Sequence, residues 1–361
     1  MTLVIDQVRK VVGAETHIRD ASLNLERGVL NVLLGPTLSG KTSLMRLMAG
    51  LDAPTSGRIL LDGVDVTGVP VRRRSVAMVY QQFINYPSLT VYENIASPLR
   101  VAGTPKPEID ARVREAAALL RLEPYLDRKP LSLSGGQQQR TALARALVKR
   151  AAVVLLDEPL ANLDYKLREE LREELPRLFA ASRSIVVYAT TEPQEALLLG
   201  GRTASLSEGA VTQFGPASEV YRQPRDLATA RVYSDPPLNV LTAERRGTRV
   251  SLGTGGEIAA AGPFAEVPDG AYTVGFRAHH LGLGPASPEA VPFQATVSVS
   301  EITGSESFVH LDVGEHRFVA LVPGVLRLDP GSAVAAHVAP SNLLLFDGEG
   351  RRADTALARA A

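Results

Sequence analysis

Residues 35 to 42 read Gly35-Pro36-Thr37-Leu38-Ser39-Gly40-Lys41-Thr42, two glycines closing a short loop that runs straight into an amine and a hydroxyl. A loop of this kind turns backbone N–H groups around phosphate oxygens; Lys41 neutralises the outer phosphates and Thr42 ligates magnesium. Chance glycine turns can match the same pattern, so the loop by itself speaks only for a nucleoside triphosphate.

A second constellation is the apolar run Val153-Val154-Leu155-Leu156 ending in Asp157 and Glu158. Adjacent carboxylates at a strand end suit a site where Asp157 holds magnesium and Glu158, as general base, polarises an attacking water. Two acids before Pro159 can also simply open a turn; what favours chemistry is the phosphate loop upstream. The third is Leu133-Ser134-Gly135-Gly136-Gln137, where a serine cap and two glycines open a helix N-terminus to an anion. A nucleotide already gripped by Lys41 has no obvious use for it.

These residues need a scaffold. Val29–Leu34 reads as a buried strand feeding the loop, and Leu44, Met45, Leu47 and Met48 recur at helical spacing up to Gly50, a C-terminal cap. From about 105 to 150 the pattern is helical, with Ile109, Val113, Ala116, Leu119 and Leu120 on one face and Ser134 capping a further helix. Strand-like runs follow at Val153–Leu156 and Ile185–Tyr188, so strands alternate with helices around a covered parallel sheet, and the helical stretch is an insertion.

Near residue 235 the texture changes. After the proline turn of SDPPLN come short alternating strands: Tyr272–Arg277, Phe293 to Val299, Phe308–Val313 and Arg317–Val322. They predict a small all-β barrel of the oligonucleotide/oligosaccharide-binding type, with the tail RRADTALARA frayed or a short helix.

Bulk composition excludes little but is informative. Lys plus Arg equals Asp plus Glu at 39 each, which argues against a nucleic-acid footprint. Cysteine is absent, as a reducing cytosol permits, and neither a signal-peptide core nor an 18-residue apolar span occurs, so any membrane contact is expected to run through partners.

The phosphate loop, Tyr80-Gln81-Gln82, LSGGQQQR, LLDEP and LANLD, in this order, resemble the nucleotide-binding subunits of ABC transporters. The resemblance implies ATP and Mg2+ as ligands and a head-to-tail dimer, in which Ser134, Gly135, Gly136 and Gln137 of one subunit reach the γ-phosphate held by the other. It makes Gln81 the glutamine that senses γ-phosphate and metal for the membrane subunits, and Asp164 part of the loop touching the partner. NYPSLTVYENIASP and a second domain carrying Pro237, Asn239, Gly275, Arg277 and Gly304-Ser305-Glu306 are similar to sugar and polyol importers. His279 and His280 read as solvated loop histidines rather than ligands.

Three positions depart from that family. Thr191 stands where a γ-phosphate-contacting histidine is usual, Val12 where an aromatic ring stacks on adenine, and Leu38 where glycine shapes the loop. Loss of one aimed transition-state contact costs roughly 100- to 1,000-fold in rate, and loss of the ring about 1 kcal/mol. ATP binding is expected to survive better than hydrolysis, which leads to pairing with a different ATPase subunit, a homodimer being the alternative. The segment around Thr191 is similar to one of the two ATPase subunits of bacterial glycerol importers.

The expectation is therefore an α/β P-loop NTPase core with antiparallel β and helical subdomains (residues 1–234, helical part about 84–150), then an all-β OB-like regulatory domain (235–361). Its function would be ATP hydrolysis energising an importer of sugars, glycerol or glycerol phosphate. The chain would lie on the cytoplasmic face of the inner membrane, held by permease subunits and serving a substrate-binding protein indirectly. The competing functions are a low-turnover regulatory subunit and a soluble, non-transport ABC ATPase.

Overall fold

The computed structural model describes residues 2–353 apart from 83, 162, 182, 183, 286 and 288, with only the backbone of 178, 180 and 181. The chain divides into two compact units, Met1–Val220 and Tyr221–Ala361.

In the first unit the elements are β1 (Thr2–Val12), β2 (Glu15–Glu26), β3 (Leu30–Leu34), α1 (Lys41–Ala49), β4 (Ser56–Leu61), β5 (Val64–Asp65), β6 (Val76–Val79), α2 (Val91–Val101), α3 (Lys106–Leu119), α4 (Gly135–Val148), β7 (Val153–Asp157), α5 (Tyr165–Ala181), β8 (Ile185–Thr190), α6 (Pro193–Leu199), β9 (Arg202–Ser207) and β10 (Ala210–Pro216). One sheet has the order β10-β9-β3-β8-β7-β6, parallel except for the β10–β9 pair. Every residue of β3, β7 and β8 is buried, as parallel strands covered on both faces require. A smaller antiparallel sheet, β2-β1-β4-β5, stands beside it.

Register places the chemistry. β8 lies between β3 and β7, with Leu34 opposite Thr190 and Asp157 opposite Ala189. The three chains therefore leave the sheet at the same edge, carrying the phosphate loop, Glu158 and Thr191 with them; the carboxyl ends of parallel strands are where such sheets bind ligands. Leu44, Met45, Leu47 and Met48 of α1 are buried in one cluster with Leu33, Leu155 and Val187. At about 1.5–3 kcal/mol for each large apolar side chain withdrawn from water, this anchors the start of α1 against the sheet.

The helical part holds α2, α3 and α4. Thr90 and Glu93 close a capping box at the start of α2, and Ser134 and Gln137 close another at α4.

The second unit begins within α7 (Ala217–Arg222) and comprises α8 (Leu227–Val232), β11 (Asn239–Arg246), β12 (Arg249–Leu252), β13 (Gly256–Ala259), β14 (Gly270–Phe276), β15 (Leu281–Leu283), β16 (Val291–Ile302), β17 (Glu306–Val313), β18 (His316–Pro323), β19 (Ala333–Val338) and β20 (Leu344–Phe346). Two five-stranded antiparallel sheets, β13-β12-β11-β14-β20 and β15-β19-β16-β17-β18, form its OB-like all-β fold. Their shared core includes Phe276, Phe293 and Phe318, whose rings meet pairwise at 5.1 to 5.8 Å. The division falls before the texture change near residue 235 because Leu227 and Ala230 of α8 pack with Leu238, Val240, Leu344 and Phe346. A helix seated on the β unit by its apolar face leaves no composition break to read. The predicted tail lies outside the described residues from 354 onward.

Candidate active site

The phosphate loop ends in a helix with no side-chain cap. Its cap residue is Gly40, at φ 102 in the left-handed region that glycine adopts without strain. The first N–H groups of α1 are thus free of side-chain partners and face the loop. Lys41 is only 5% exposed, and its Nζ donates to Gly35 O at 2.7 Å and Pro36 O at 3.0 Å. Burial pulls its pKa down, with Glu158 and Asp157 opposing. Leu38 holds φ 68 and is 95% exposed. The loop therefore keeps a left-handed turn despite a side chain, at about 1–2 kcal/mol of strain, and the side chain escapes into solvent.

Thr42 Oγ1 donates to Asp157 Oδ2 at 2.8 Å. Burial drives the Asp157 carboxyl above its ordinary range, with the Thr42 hydrogen bond and Lys41 restraining it. Glu158 has φ 47, and its N–H donates to Ala189 O at 3.0 Å, which aims the side chain off the strand end. Its Oε2 accepts from Gln81 Nε2 at 3.0 Å, and its Oε1 lies 3.9 Å from Lys41 Nζ. Burial raises the Glu158 carboxyl too; Lys41 opposes this, while Asp157, Glu195 and Glu192 add to it.

A cavity of about 680 Å³ opens over these groups, lined by Thr37, Leu38, Gly40, Lys41, Thr42, Ser43, Gln81 and Glu158 and by Glu15, Thr16, His17, Arg19, Glu208 and Gly209. Thr42, Asp157 and Gln81 present hydroxyl, carboxylate and carboxamide oxygens, the hard donors Mg2+ takes together with substrate phosphates. Among the described residues no three His, Cys, Asp or Glu side chains gather as a complete metal cage.

The other predicted residues lie apart from that lining. Ser134 and Gly135 are exposed; Ser134 Oγ accepts from Gln137 N at 3.4 Å, and Ser134 N donates to Gln137 Oε1 at 3.0 Å. Ser134, Gly135, Gly136 and Gln137 thus form an outward-facing helix N-terminus. Asp164 heads α5, its Oδ1 accepting from Leu167 N at 3.0 Å. Thr191 is half-buried just past β8, and Val12 sits 48% exposed at the tip of the β1–β2 hairpin, paired with Glu15. In the second unit His279 is exposed, but His280 is half-buried and so only partly fits a solvated loop; desolvation lowers its pKa to about 4.

Sequence reasoning missed the supports. Buried Asn94 donates to Tyr86 O at 3.1 Å, Leu89 O at 3.1 Å and Thr90 O at 2.9 Å and accepts from Tyr86 N at 2.8 Å, folding the segment after Gln81 onto α2. Asn85 Nδ2 donates to Gln138 O at 2.8 Å, and Arg145 reaches Ile84 O, joining that segment to α4. Behind Thr191, buried Glu195 accepts from Tyr188 OH at 2.9 Å and from Thr190 Oγ1. The available signal was an asparagine on the apolar face of a helix and a glutamate in an apolar one.

A phosphate loop, an acid pair on a nearby parallel strand and a second glycine-led helix define a P-loop nucleotide-hydrolysing cassette. Residues 18–161 match the ABC transporter family and residues 292–345 the TOBE domain. The chain is 36% identical over 356 residues to the alpha-glucoside transport ATP-binding protein AglK of Rhizobium meliloti (strain 1021), covering 97% of this chain and 98% of that protein. It is also 36% identical over 339 residues to the sn-glycerol-3-phosphate import ATP-binding protein UgpC of Escherichia coli (strain K12), covering 93% and 95%. A solved dimer of the ATP-binding cassette MJ0796 in a post-hydrolysis state with ADP and Pi superposes with a TM-score of 0.54 at 29% identity, covering 60% of this chain and 98% of that one. The chain belongs to the ABC transporter family, and it is an ATP-binding, ATP-hydrolysing subunit of that family.

Proposed function

We propose that this chain hydrolyses ATP between two ATPase subunits to drive import of a sugar, a polyol or glycerol phosphate through partner permease subunits. The observation that carries this is the separation of two anion-binding helix starts in one protomer. The N-terminus of α1 lies in the cavity with Lys41, whereas that of α4, led by Ser134, is exposed and outside its lining. A second subunit facing the cavity supplies the missing helix start and closes on the γ-phosphate.

In this reading backbone N–H groups at the end of the phosphate loop and the start of α1, together with Lys41, hold the phosphates, while Thr42, Asp157 and Gln81 would hold Mg2+. The metal, when bound, neutralises charge developing on the phosphates. Glu158 polarises water, and its raised pKa makes it a better proton acceptor. Thr191 offers a neutral hydroxyl to the γ-phosphate, and Asp164 meets the partner subunit. The importer and its cargo class come from the names of the relatives. Among the described residues no helix is long and apolar enough to cross a membrane, in keeping with peripheral attachment at the cytoplasmic face of the inner membrane.

The intact Ser134 helix beside a threonine-bearing site favours pairing with a second kind of ATPase subunit. Light scattering on Glu158→Gln with ATP and Mg2+ tests the sandwich: a dimer forms, and Ser134→Arg abolishes it. A preparation that stays monomeric, alone and with its cognate subunits, refutes the proposal. Strong ATPase activity of the lone homodimer refutes the mixed pair alone.

A further inference from the structure

The nucleoside of a bound triphosphate must leave the phosphate loop where the cavity continues. That side is built by Glu15, Thr16, His17 and Arg19 of β2 and its start, and by Glu208 and Gly209 of the β9–β10 turn. Three stretches of backbone touch there. Arg19 N donates to Gly209 O at 2.7 Å, and Gly209 N donates to Ser39 O at 3.0 Å. A side chain at Gly209 would come within 2.6 Å of His17 O, and one at Gly40 within 3.0 Å of it. His17 is therefore fixed by its backbone against the start of the helix that receives the phosphates.

Its side chain is 38% exposed, with Nε2 3.6 Å from Glu15 Oε2. Among the described lining residues His17 carries the only aromatic ring. Val12 is aliphatic, lies at the hairpin tip and does not line the cavity. A purine presents a flat π face for which aromatic rings, histidine included, are the usual platform.

Resting on the proposed ATPase reading, we infer that the His17 imidazole is the platform for the adenine base, in place of residue 12. The side chain thus selects for a nucleoside triphosphate over a bare polyphosphate.

The test is equilibrium binding of ATP and of inorganic triphosphate, each with Mg2+, to the full chain by titration calorimetry. His17→Ala is expected to weaken ATP by about fivefold or more, the lower end of base–aromatic stacking, and to leave triphosphate unchanged. His17→Phe is expected to restore ATP affinity, and Val12→Ala to alter neither ligand. Wild-type ATP affinity in His17→Ala overturns the inference, as does equal weakening of both ligands or a Val12→Ala that weakens ATP alone. Lys41→Ala separates the two failures: if it binds both ligands as tightly as wild type, the phosphate-loop reading falls and this inference with it; if it loses both while His17→Ala loses neither, only the platform falls.

Discussion

Gln81 Nε2 and Glu158 Oε2 are 3.0 Å apart, a hydrogen bond between residues 77 positions apart in the chain. Beyond Gln81 the chain is held by Asn85 to the first turn of α4 and by Asn94 to α2. The proposed base and the helix capped by Ser134 are thus both hydrogen-bonded to one short stretch of chain, the first through Gln81 and the second through Asn85. The carboxylate is shared further, its second oxygen lying near Lys41, so the group that polarises water also reads the residues that grip phosphate.

That arrangement sets a pH profile. Glu158 acts as a base only when ionised, and burial lifts its carboxyl above the ordinary 4.5; Lys41 grips phosphate only when protonated, and burial lowers it below the ordinary 10.5. Activity is therefore lost on the acid side above pH 4.5 and on the alkaline side below pH 10.5, a window narrowed from both ends. The profile of kcat/KM against pH reports the free enzyme and checks this; an acid limb at or below 4.5 contradicts it.

Asp157 carries a stability cost. Its folded pKa lies above the ordinary 3.8, so the folded protein binds more protons than the unfolded chain across that interval. Stability therefore falls as pH rises through it, and the deficit persists at neutral pH. Asp157→Asn keeps an oxygen for Thr42 and removes the buried charge. A higher Tm at pH 7 together with ATPase activity down by roughly 100-fold or more is expected. Calorimetry showing an unchanged or lower Tm would argue against the buried charge as a net cost.

Much of this was legible in the sequence because the chemistry sits where periodicity is strongest. The apolar runs before Gly35 and Asp157 suit covered parallel strands; the first stops at a glycine where a Cβ would come within 2.4 Å of Leu206 O, and the second runs into Glu158 at φ 47. The supports were not legible. Asn94 lies among apolar residues on α2, and only the fold reveals that its amide closes a turn eight residues back. Cavity lining by His17 and Arg19 was equally hidden, since the sheet places β2 against the phosphate loop without any local pattern. The composite character of the site rested on resemblance, because the helix led by Ser134 does not line the cavity over the phosphate loop.

Asn94 therefore allows a sharp test of the segment that carries Gln81. Asn94→Ala would leave the Tyr86 N–H and the carbonyls of Tyr86, Leu89 and Thr90 without this side-chain partner in a partly buried setting. A loss of about 2–4 kcal/mol in urea unfolding is expected, several hydrogen bonds falling together. Asn94→Asp should recover only part of it, since a carboxylate can accept from Tyr86 but donates to no carbonyl. A loss under about 0.5 kcal/mol, ordinary for a surface change, would remove Asn94 as the clamp.

Thr191 is the position where rate is most open to gain. Its backbone is already fixed: Glu192 N donates to Thr190 Oγ1 at 3.0 Å, and Arg172 and Arg168 hold the Glu192 carboxylate at 2.7 and 3.3 Å. A histidine introduced there would leave the chain at the same edge of the sheet, where its imidazole adds a longer donor and a possible positive charge beside the γ-phosphate. Thr191→His should raise kcat of the lone chain by about 10- to 100-fold, below the full value of one aimed transition-state contact. KM should change little, because the gain arises in the transition state rather than in ground-state binding. Steady-state turnover decides it: an unchanged kcat means the threonine already does what the reaction needs, and pairing with a second kind of ATPase then loses its chemical motive.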